Sequence, residues 1–341
     1  MTMHDQHDKE PNIHMIVGDY FPGKDYRPLD VRGRGVNNTT RFIEVGSEKL
    51  VLRIYETHQE EAKVSYEHAV LLELAGADLP YRTPEPVLSR DGTTYVRTAE
   101  GKLATVFRYV EGEPPSAGKS TLVDFGEATA HLMLALAEVR IGLSPVYAPY
   151  YELEQAHPRC SLAQLNDFCL SPPDEFADEQ EKLARIAPYI ERIRGELPQL
   201  RHLPHQLIHG DLNLSNALAD SSGRIAALLD FEFVTMDVRA MEVAVFLSDL
   251  IRPDQPVELT FTKVSSYLEG LRRHVQLTDD ELSAMPILLL LRRLDVLIHF
   301  IGRYWDGVDD RSIVKGQIGQ LYAMTQWLDE KEATLLEQLG G

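Results

Sequence analysis

Cysteine is nearly absent from this chain: its 341 residues include two, Cys160 and Cys169. Two thiols cannot build a four-ligand zinc site, and no histidine pair stands at finger spacing, so a zinc-finger module is excluded. They read as ordinary reduced thiols. Basic charge is also short, with 34 Lys+Arg against 53 Asp+Glu and a net charge of −19. That deficit argues against a nucleic-acid partner and against adsorption to anionic lipid. An acidic surface that keeps the chain soluble and an attraction for a cationic small substrate are both compatible with it. Long apolar runs are missing too. The longest, MPILLLLRRLDVLIHFIG at 285–302, is interrupted by Arg292, Arg293 and Asp295. It reads as a buried helix and not as a membrane span. The leading MTMHDQHDKEP has no apolar core of a secretory signal, so a cytoplasmic location is expected. No internal repeat or low-complexity segment stands out.

What is present suits two lobes: 341 residues exceed one small core, and a 44% hydrophobic share is ordinary for a globular chain. Residues 1–14 are expected to form a loose leader. From 15 to 110 the pattern is mixed strand and helix. Phe42, Val45, Leu50, Leu52 and Ile54 alternate around a Gly46-Ser47 turn, which predicts a hairpin. Before it lies Gly33-Arg34-Gly35-Val36-Asn37-Asn38-Thr39-Thr40, whose small residues would let backbone N–H groups approach phosphate. It lacks the third glycine of a dinucleotide fingerprint, so a plain hairpin turn stays open beside that reading. A capping box from Thr57 to Glu60 predicts a helix from about 58 to 75. On it Glu67 points inward if a basic residue stands opposite, and Arg53 on the preceding strand is the candidate. Short strands are expected at 85–89, 93–98 and 103–109, and Gly112 with two prolines marks a linker. The remainder, 111–341, is mostly helical. Helices are expected from about 119, at 161–170 within an irregular insertion, and at 178–195. Four more follow at 239–252, 257–275, 279–302 and 311–336, the third starting on a second capping box, Thr278 to Glu281. The fold class is therefore α+β, a β-rich lobe ahead of an α-rich one.

The chemistry concentrates in residues 207–233, LIHGDLNLSNALADSSGRIAALLDFEF. Phosphoryl transfer needs a carboxylate to accept the proton of the attacking hydroxyl, and a side-chain oxygen and a second carboxylate on Mg²⁺. Asp211, Asn216 and Asp230 supply that set. His209 reads as a support that bonds backbone near the loop. Asp237 and Arg239 read as a helix cap and a surface charge.

HGDLNLSN and LLDFEF resemble the catalytic and metal-binding motifs of the aminoglycoside phosphotransferase and choline kinase-like superfamily, relatives of protein kinases. Gly210 stands where protein kinases have Arg, and Glu232 where they have Gly, as in the small-molecule branch. GVNNTTRFIEVGSEKLVLRIYE and DFEFVTMDVRAMEVAVFLSDL look most like type II homoserine kinases. The resemblance covers about residues 15–335 and implies a protein kinase-like bilobal fold, ATP and Mg²⁺ as cofactors, and a small hydroxylated substrate. It implies Asp211 as catalytic base and Asn216 and Asp230 as metal ligands. It also implies that Gly33, Gly35, Asn37, Asn38, Thr39 and Thr40 cover the phosphates. Phe107, Arg108, Tyr109 and Val110 would form the adenine-contacting hinge, and Glu67 would pair with the basic residue of the VLRIY strand. That residue is Arg53, where the family pattern has lysine; Arg can hold phosphate bidentately but is bulkier. Glu242 follows where the family often has a loop-anchoring Asp.

For the acceptor, Glu232, Arg292, Asp295 and His299 are the candidates, since the last three lie three and four apart on one helical face. An amino acid needs a cation for its carboxylate and an anion for its ammonium. An ion pair internal to the lobe is the alternative. Tyr304 and Trp305 keep an aromatic cage for a choline-type substrate open. Homoserine-like phosphorylation leads. An aminoglycoside or amino-alcohol kinase comes next, and a nonenzymatic kinase-fold structural protein is the reading of another class. Monomer and homodimer are both compatible with the sequence.

Overall fold

Two-residue alternation builds the first lobe. The structure, a computed structural model, describes residues 13–29, 38–56, 60–252 and 255–340. Strands β1 (Tyr26–Pro28), β2 (Asn38–Val45), β3 (Glu48–Tyr55), β4 (Val96–Arg97) and β5 (Leu103–Arg108) form one antiparallel sheet in the order β1-β2-β3-β5-β4. Register sorts the side chains: Ile43 lies opposite Leu50 and Ala104 opposite Ile54. Leu50, Leu52, Ile54, Ala104 and Val106 thus share one apolar face. Thr40, Arg53 and Thr105 fall on the other face, with Phe107 opposite Val51. That second face looks into the cleft and toward helix α2 (Glu61–Ala75), whose Glu67 is buried.

Helix α1 (Ile13–Tyr20) covers the apolar face with Ile16, Val17 and Tyr20. Of the leader expected at residues 1–14, residues 13 and 14 belong to this helix, which is too brief to show a period, and residues 1–12 lie outside the described residues. The Thr57–Glu60 capping box and Gly33, Gly35 and Asn37 lie outside the described residues, apart from Glu60 itself. The strand expected at 85–89 is reduced to a single bridge between Pro86 and Phe107, and that at 93–98 to β4. Proline at 84 and 86 supplies no N–H for a longer ladder.

Beyond β5 the chain passes through residues 109–118 into the helical lobe, where Glu113 already pairs with Ala219. This lobe holds α3 (Lys119–Glu138), α4 (Leu162–Leu170), α5 (Gln180–Leu200), α6 (Met241–Leu250), α7 (Val257–Leu271), α8 (Asp279–Trp305) and α9 (Arg311–Gly340). α3 packs on α7 and α8 on α9, with Phe125, Phe246 and Tyr267 clustered in the core. The second capping box forms as expected: the Thr278 hydroxyl accepts the Glu281 N–H, and Glu281 accepts the Thr278 N–H at 2.8 Å. Cys160 and Cys169 are both buried and unpaired, and burial pushes each thiol up to about 12. No described helix is long and apolar enough to cross a membrane.

Two assignments change. Asp237 sits in strand β9 (Thr235–Val238), buried, and accepts the Tyr150 N–H at 2.7 Å instead of capping a helix. Arg239 is no loose surface charge: it clamps the fully buried Glu281 with N···O distances of 2.9 and 2.5 Å. A buried carboxylate needs such a partner.

Candidate active site

Strands β6 (His205–Ile208) and β9 form one small ladder, β7 (Ala217–Ala219) and β8 (Ile225–Leu228) another. Together they hold the loop from His209 to Asn216 against Asp230. Gly210 turns the chain with φ +81°, and a Cβ there would press into the Phe233 carbonyl. This is why a residue with a side chain is not accommodated at that point. His209 is buried and tautomer-fixed by its neighbours. Its Nδ1 accepts the Asp211 N–H at 3.2 Å, so Nε2–H donates to the Leu229 carbonyl at 2.9 Å. Burial lowers its pKa, in keeping with a neutral ring. Glu242, at the start of α6 and without solvent exposure, accepts the His209 N–H at 2.5 Å. Burial pushes this carboxyl up to about 8.

Asn213 then orders the end of the loop. Its side-chain oxygen accepts the N–H groups of Ser215 at 2.9 Å and Asn216 at 3.2 Å, starting a short 3₁₀ turn. Asn216 Nδ2 donates to the Asp211 carbonyl at 2.9 Å and to Asp211 Oδ2 at 3.2 Å. Its amide nitrogen is thus spent within the loop, and the amide oxygen is the atom left for a cation. The Leu229 N–H bonds the Asn216 carbonyl at 2.7 Å, which draws the residue before Asp230 onto the same loop. Asp230 is the one non-glycine residue with positive φ (68°) among the described residues. Its carboxylate keeps more than a third of its side chain exposed. An amide oxygen and an exposed carboxylate are hard oxygen donors, and they fit Mg²⁺ completed by phosphate oxygens and water.

From the sheet, Arg53 reaches Asp230 at 3.6 Å and Glu67 at 3.3 Å. Glu67 also accepts the Tyr55 hydroxyl at 3.3 Å. Burial pushes the Glu67 carboxyl up to about 7, with Arg53 pulling it back. Desolvation works against the Arg53 charge, yet Asp230 and Glu67 hold its pKa above the ordinary value. The Phe107 ring lies 5.4 Å from the guanidinium. Thr40 faces Arg53 across the ladder, but Thr39 is one residue out of phase. Its hydroxyl bonds Glu56 at 2.8 Å on the face opposite Arg53. Asn38 donates to Glu232 at 3.1 Å. Of the hinge candidates, Arg108 turns outward to Glu85 at 2.9 Å, and the Tyr109 N–H bonds the Lys49 carbonyl at 3.2 Å. The Val110 N–H meets no backbone carbonyl among the described residues.

The far side of Asp211 is occupied by a second arginine. Arg292 of α8 donates to Asp211 Oδ1 at 2.5 Å and to the Tyr150 hydroxyl at 2.6 Å, and Tyr150 donates to the Gly210 carbonyl at 2.5 Å. Burial raises the Asp211 pKa and Arg292 pulls it down. Beside this triad opens a cavity of about 440 Å³ lined by Tyr147, Tyr150, Lys63, His157, Asp295 and His299, among others. Burial pushes the Asp295 carboxyl up to about 6, against the pull of Arg292.

Two substrate candidates move. Glu232 is buried against Asn38 of the sheet and is absent from the cavity lining, because the 3₁₀ turn Phe231–Phe233 swings it toward the other lobe. Tyr304 and Trp305 form no cage there. Tyr304 packs on Phe176 and bonds Glu175, and Trp305 packs on Phe168, within the insertion. Tyr150 and Lys63 went unpredicted. The only signal for Tyr150 is tyrosine density in an aperiodic segment, and Lys63 reads as one charge on an amphipathic helix.

Residues 29–275 match the family described as APH, phosphotransferase enzyme family. A homoserine kinase of Rhodopseudomonas palustris (strain HaA2) is 27% identical over 280 residues, covering 77% of this chain and 78% of the relative. Among solved structures, amicoumacin kinase hAmiN in complex with AMP-PNP, Ca²⁺ and Ami superposes with a TM-score of 0.67 at 16% identity. That match covers 94% of this chain and 92% of the other. The microcompartment-associated aminopropanol kinase gives 0.65 at 19% identity, over 95% and 97% of the two chains. At these identities the likeness concerns the fold, a strand lobe joined to a helical lobe around one cleft. Both the family match, which spans well over half of the sequence, and the fold that frames Asp211, Asn216 and Asp230 lead to one statement: this chain belongs to the phosphotransferase enzyme family.

Proposed function

We propose that the chain transfers the terminal phosphoryl group of Mg²⁺-ATP to a hydroxyl of a small amino-acid-like metabolite, with homoserine as the type. The observation that carries this reading is the Arg292–Asp211 contact, joined through Tyr150 to a cavity that Tyr150 and Asp295 line. A cation and an anion one helical turn apart suit a substrate's carboxylate and ammonium. The cavity volume of about 440 Å³ suits a small ligand.

In this reading Asp211 accepts the hydroxyl proton as the O–P bond forms, and ADP leaves with the old bond. Its burial-raised pKa makes it a better base than an exposed aspartate. Asn216 and Asp230 would hold the metal, and Mg²⁺ bound there would neutralise charge on the phosphates. Arg53, held by Glu67, takes the phosphate-facing role through its planar donors. The backbone of Phe107–Val110 receives the adenine edge, and Val110 offers an N–H for it. An incoming carboxylate competes with Asp211 for Arg292 and so releases Oδ1 when the acceptor arrives.

An amino alcohol is the second reading, favoured by Asp295 in the cavity lining, which serves an ammonium whether or not a carboxylate accompanies it. A panel measuring ADP release from Mg²⁺-ATP separates the two. L-Homoserine is expected to outpace 1-amino-2-propanol, choline and kanamycin in kcat/KM. A preference for the carboxylate-free amino alcohol would replace the first reading by the second. Absence of turnover with every acceptor, and of any melting shift with Mg²⁺-ATP, would remove both.

A further inference from the structure

Away from the cleft, helices α3 and α7 cross in backbone contact. A Cβ at Gly126 would run into the Tyr267 carbonyl, and one at Gly270 into the Val123 carbonyl. Backbone atoms cannot yield as a side-chain tip can, so these two glycines fix the depth and register of the crossing. That register carries Glu127, next to Gly126, and His131 one turn on, up to His274 just past the end of α7.

We propose that Glu127, His131 and His274 form a binding site for a borderline transition-metal ion of the Zn²⁺ class, separate from the magnesium site of the cleft. Each residue offers one ligand atom, and the three atoms all lie within 4.8 Å of one another. His274 Nε2 and Glu127 Oε1 are 3.2 Å apart. With metal–ligand bonds of roughly 2.0–2.1 Å, two ligands of a tetrahedral ion stand about 3.3–3.4 Å apart, so the pair is spaced as one edge of such a site. The two imidazoles lie with centroids 4.3 Å apart and their planes tilted by 42°. Glu127 keeps its other oxygen on Arg273 at 2.7 Å, an outer partner that orients the ligating carboxylate. Two histidines and one glutamate leave a fourth position for water. Glu127 and His131 also line a cavity of about 1090 Å³ behind the lobe linker, so that position is reachable from solvent. Because two ligands stand on α3 and the third just past the end of α7, the bound ion would tie α3 to the chain leaving α7.

The test is independent of the kinase reading. Zn²⁺ is titrated calorimetrically into the full chain in excess Mg²⁺, with Co²⁺ absorption reporting the coordination number. One equivalent is expected to bind, with the intense visible bands of four-coordinate Co²⁺. His274→Gln and His131→Gln are each expected to weaken binding at least tenfold, roughly one lost ligand's share. Glu127→Gln is the third variant and keeps the shape of the carboxylate. Melting without Zn²⁺ checks that the variants fold, and Mg²⁺-ATP turnover in buffer free of transition metals is expected to stay at the wild-type level. Zn²⁺ affinity unchanged in all three variants, or no binding by the wild type at 100-fold excess over protein, would overturn the site.

Discussion

Two half-buried arginines approach the cleft from opposite lobes, and they differ in what holds them. Arg53 stands on a strand and is fixed by Glu67 of α2, with Asp230 beyond it. Arg292 stands on α8 and is fixed by Tyr150, with Asp211 beyond it. Both side chains are 17% exposed, so both ion pairs are only partly screened by water. The Arg53 contact to Asp230 is long, 3.6 Å, and the Asp230 carboxylate stays open to solvent. The Arg292 contact to Asp211 is short, 2.5 Å, and occupies one of the two oxygens. In the proposed reading, one arginine waits beside its carboxylate for a phosphate. The other is already engaged and would have to be drawn off, which would tie the proposed base to arrival of the acceptor.

The comparison breaks most visibly at Asp211. Asp211→Asn is expected to lower kcat by about 10³-fold or more while leaving the Mg²⁺-ATP melting shift intact, because the loss falls on proton acceptance. Near-wild-type turnover in that variant would refute the base assignment. Arg53→Ala is expected next in size. Removing one member of a buried pair strands Glu67, a cost of about 3–5 kcal/mol in stability, and nucleotide affinity falls with it. Arg53→Lys should recover part of both, and denaturant melts alongside nucleotide titration read the two effects apart. Arg292→Met sharpens the contrast: KM for a carboxylate-bearing acceptor should rise roughly 10- to 100-fold, the size of a charge-assisted hydrogen bond or two. KM for an amino alcohol should change little, and an equal rise for both would detach Arg292 from the acceptor.

The smallest effect concerns the anchor beneath the Asp211 side. Burial raises Glu242 from 4.5 to about 8 in the fold. A carboxyl with a raised folded pKa contributes stability that is full below the unfolded value of 4.5 and is lost as pH rises through about 8. Glu242→Gln, neutral throughout, should therefore gain on the wild type as pH climbs from 5 to 8. Midpoints of urea unfolding at several pH values measure that slope. Parallel midpoints would mean that Glu242 is ionised in the fold.

The motifs around Asp211, Asn216 and Asp230 were legible because loop chemistry is local. Asn213 capping Ser215 and Asn216, and Gly210 in a left-handed turn, need only neighbours in sequence. The β2–β3 hairpin was equally readable, since alternation and the Gly46-Ser47 turn mark it; the register that puts Arg53 opposite Thr40 came from the structure. Helix α8 and its capping box were visible through periodicity and spacing. Where Arg292 points was not. The same helical face would serve an internal ion pair with Asp295, and it is the packing of α8 beneath the Asp211 loop that sends the guanidinium to Asp211. Glu232 misled for the same reason in reverse: two positions from Asp230 in sequence, it is turned by a 3₁₀ bend toward Asn38, 194 residues away. Tyr150 comes from an aperiodic segment and meets Arg292 across 142 residues. The sequence alone determined which residues can do phosphoryl-transfer chemistry, through short-range spacing. Which charges flank that chemistry was decided only by the tertiary structure, because burial and long-range packing choose among partners that local pattern treats alike.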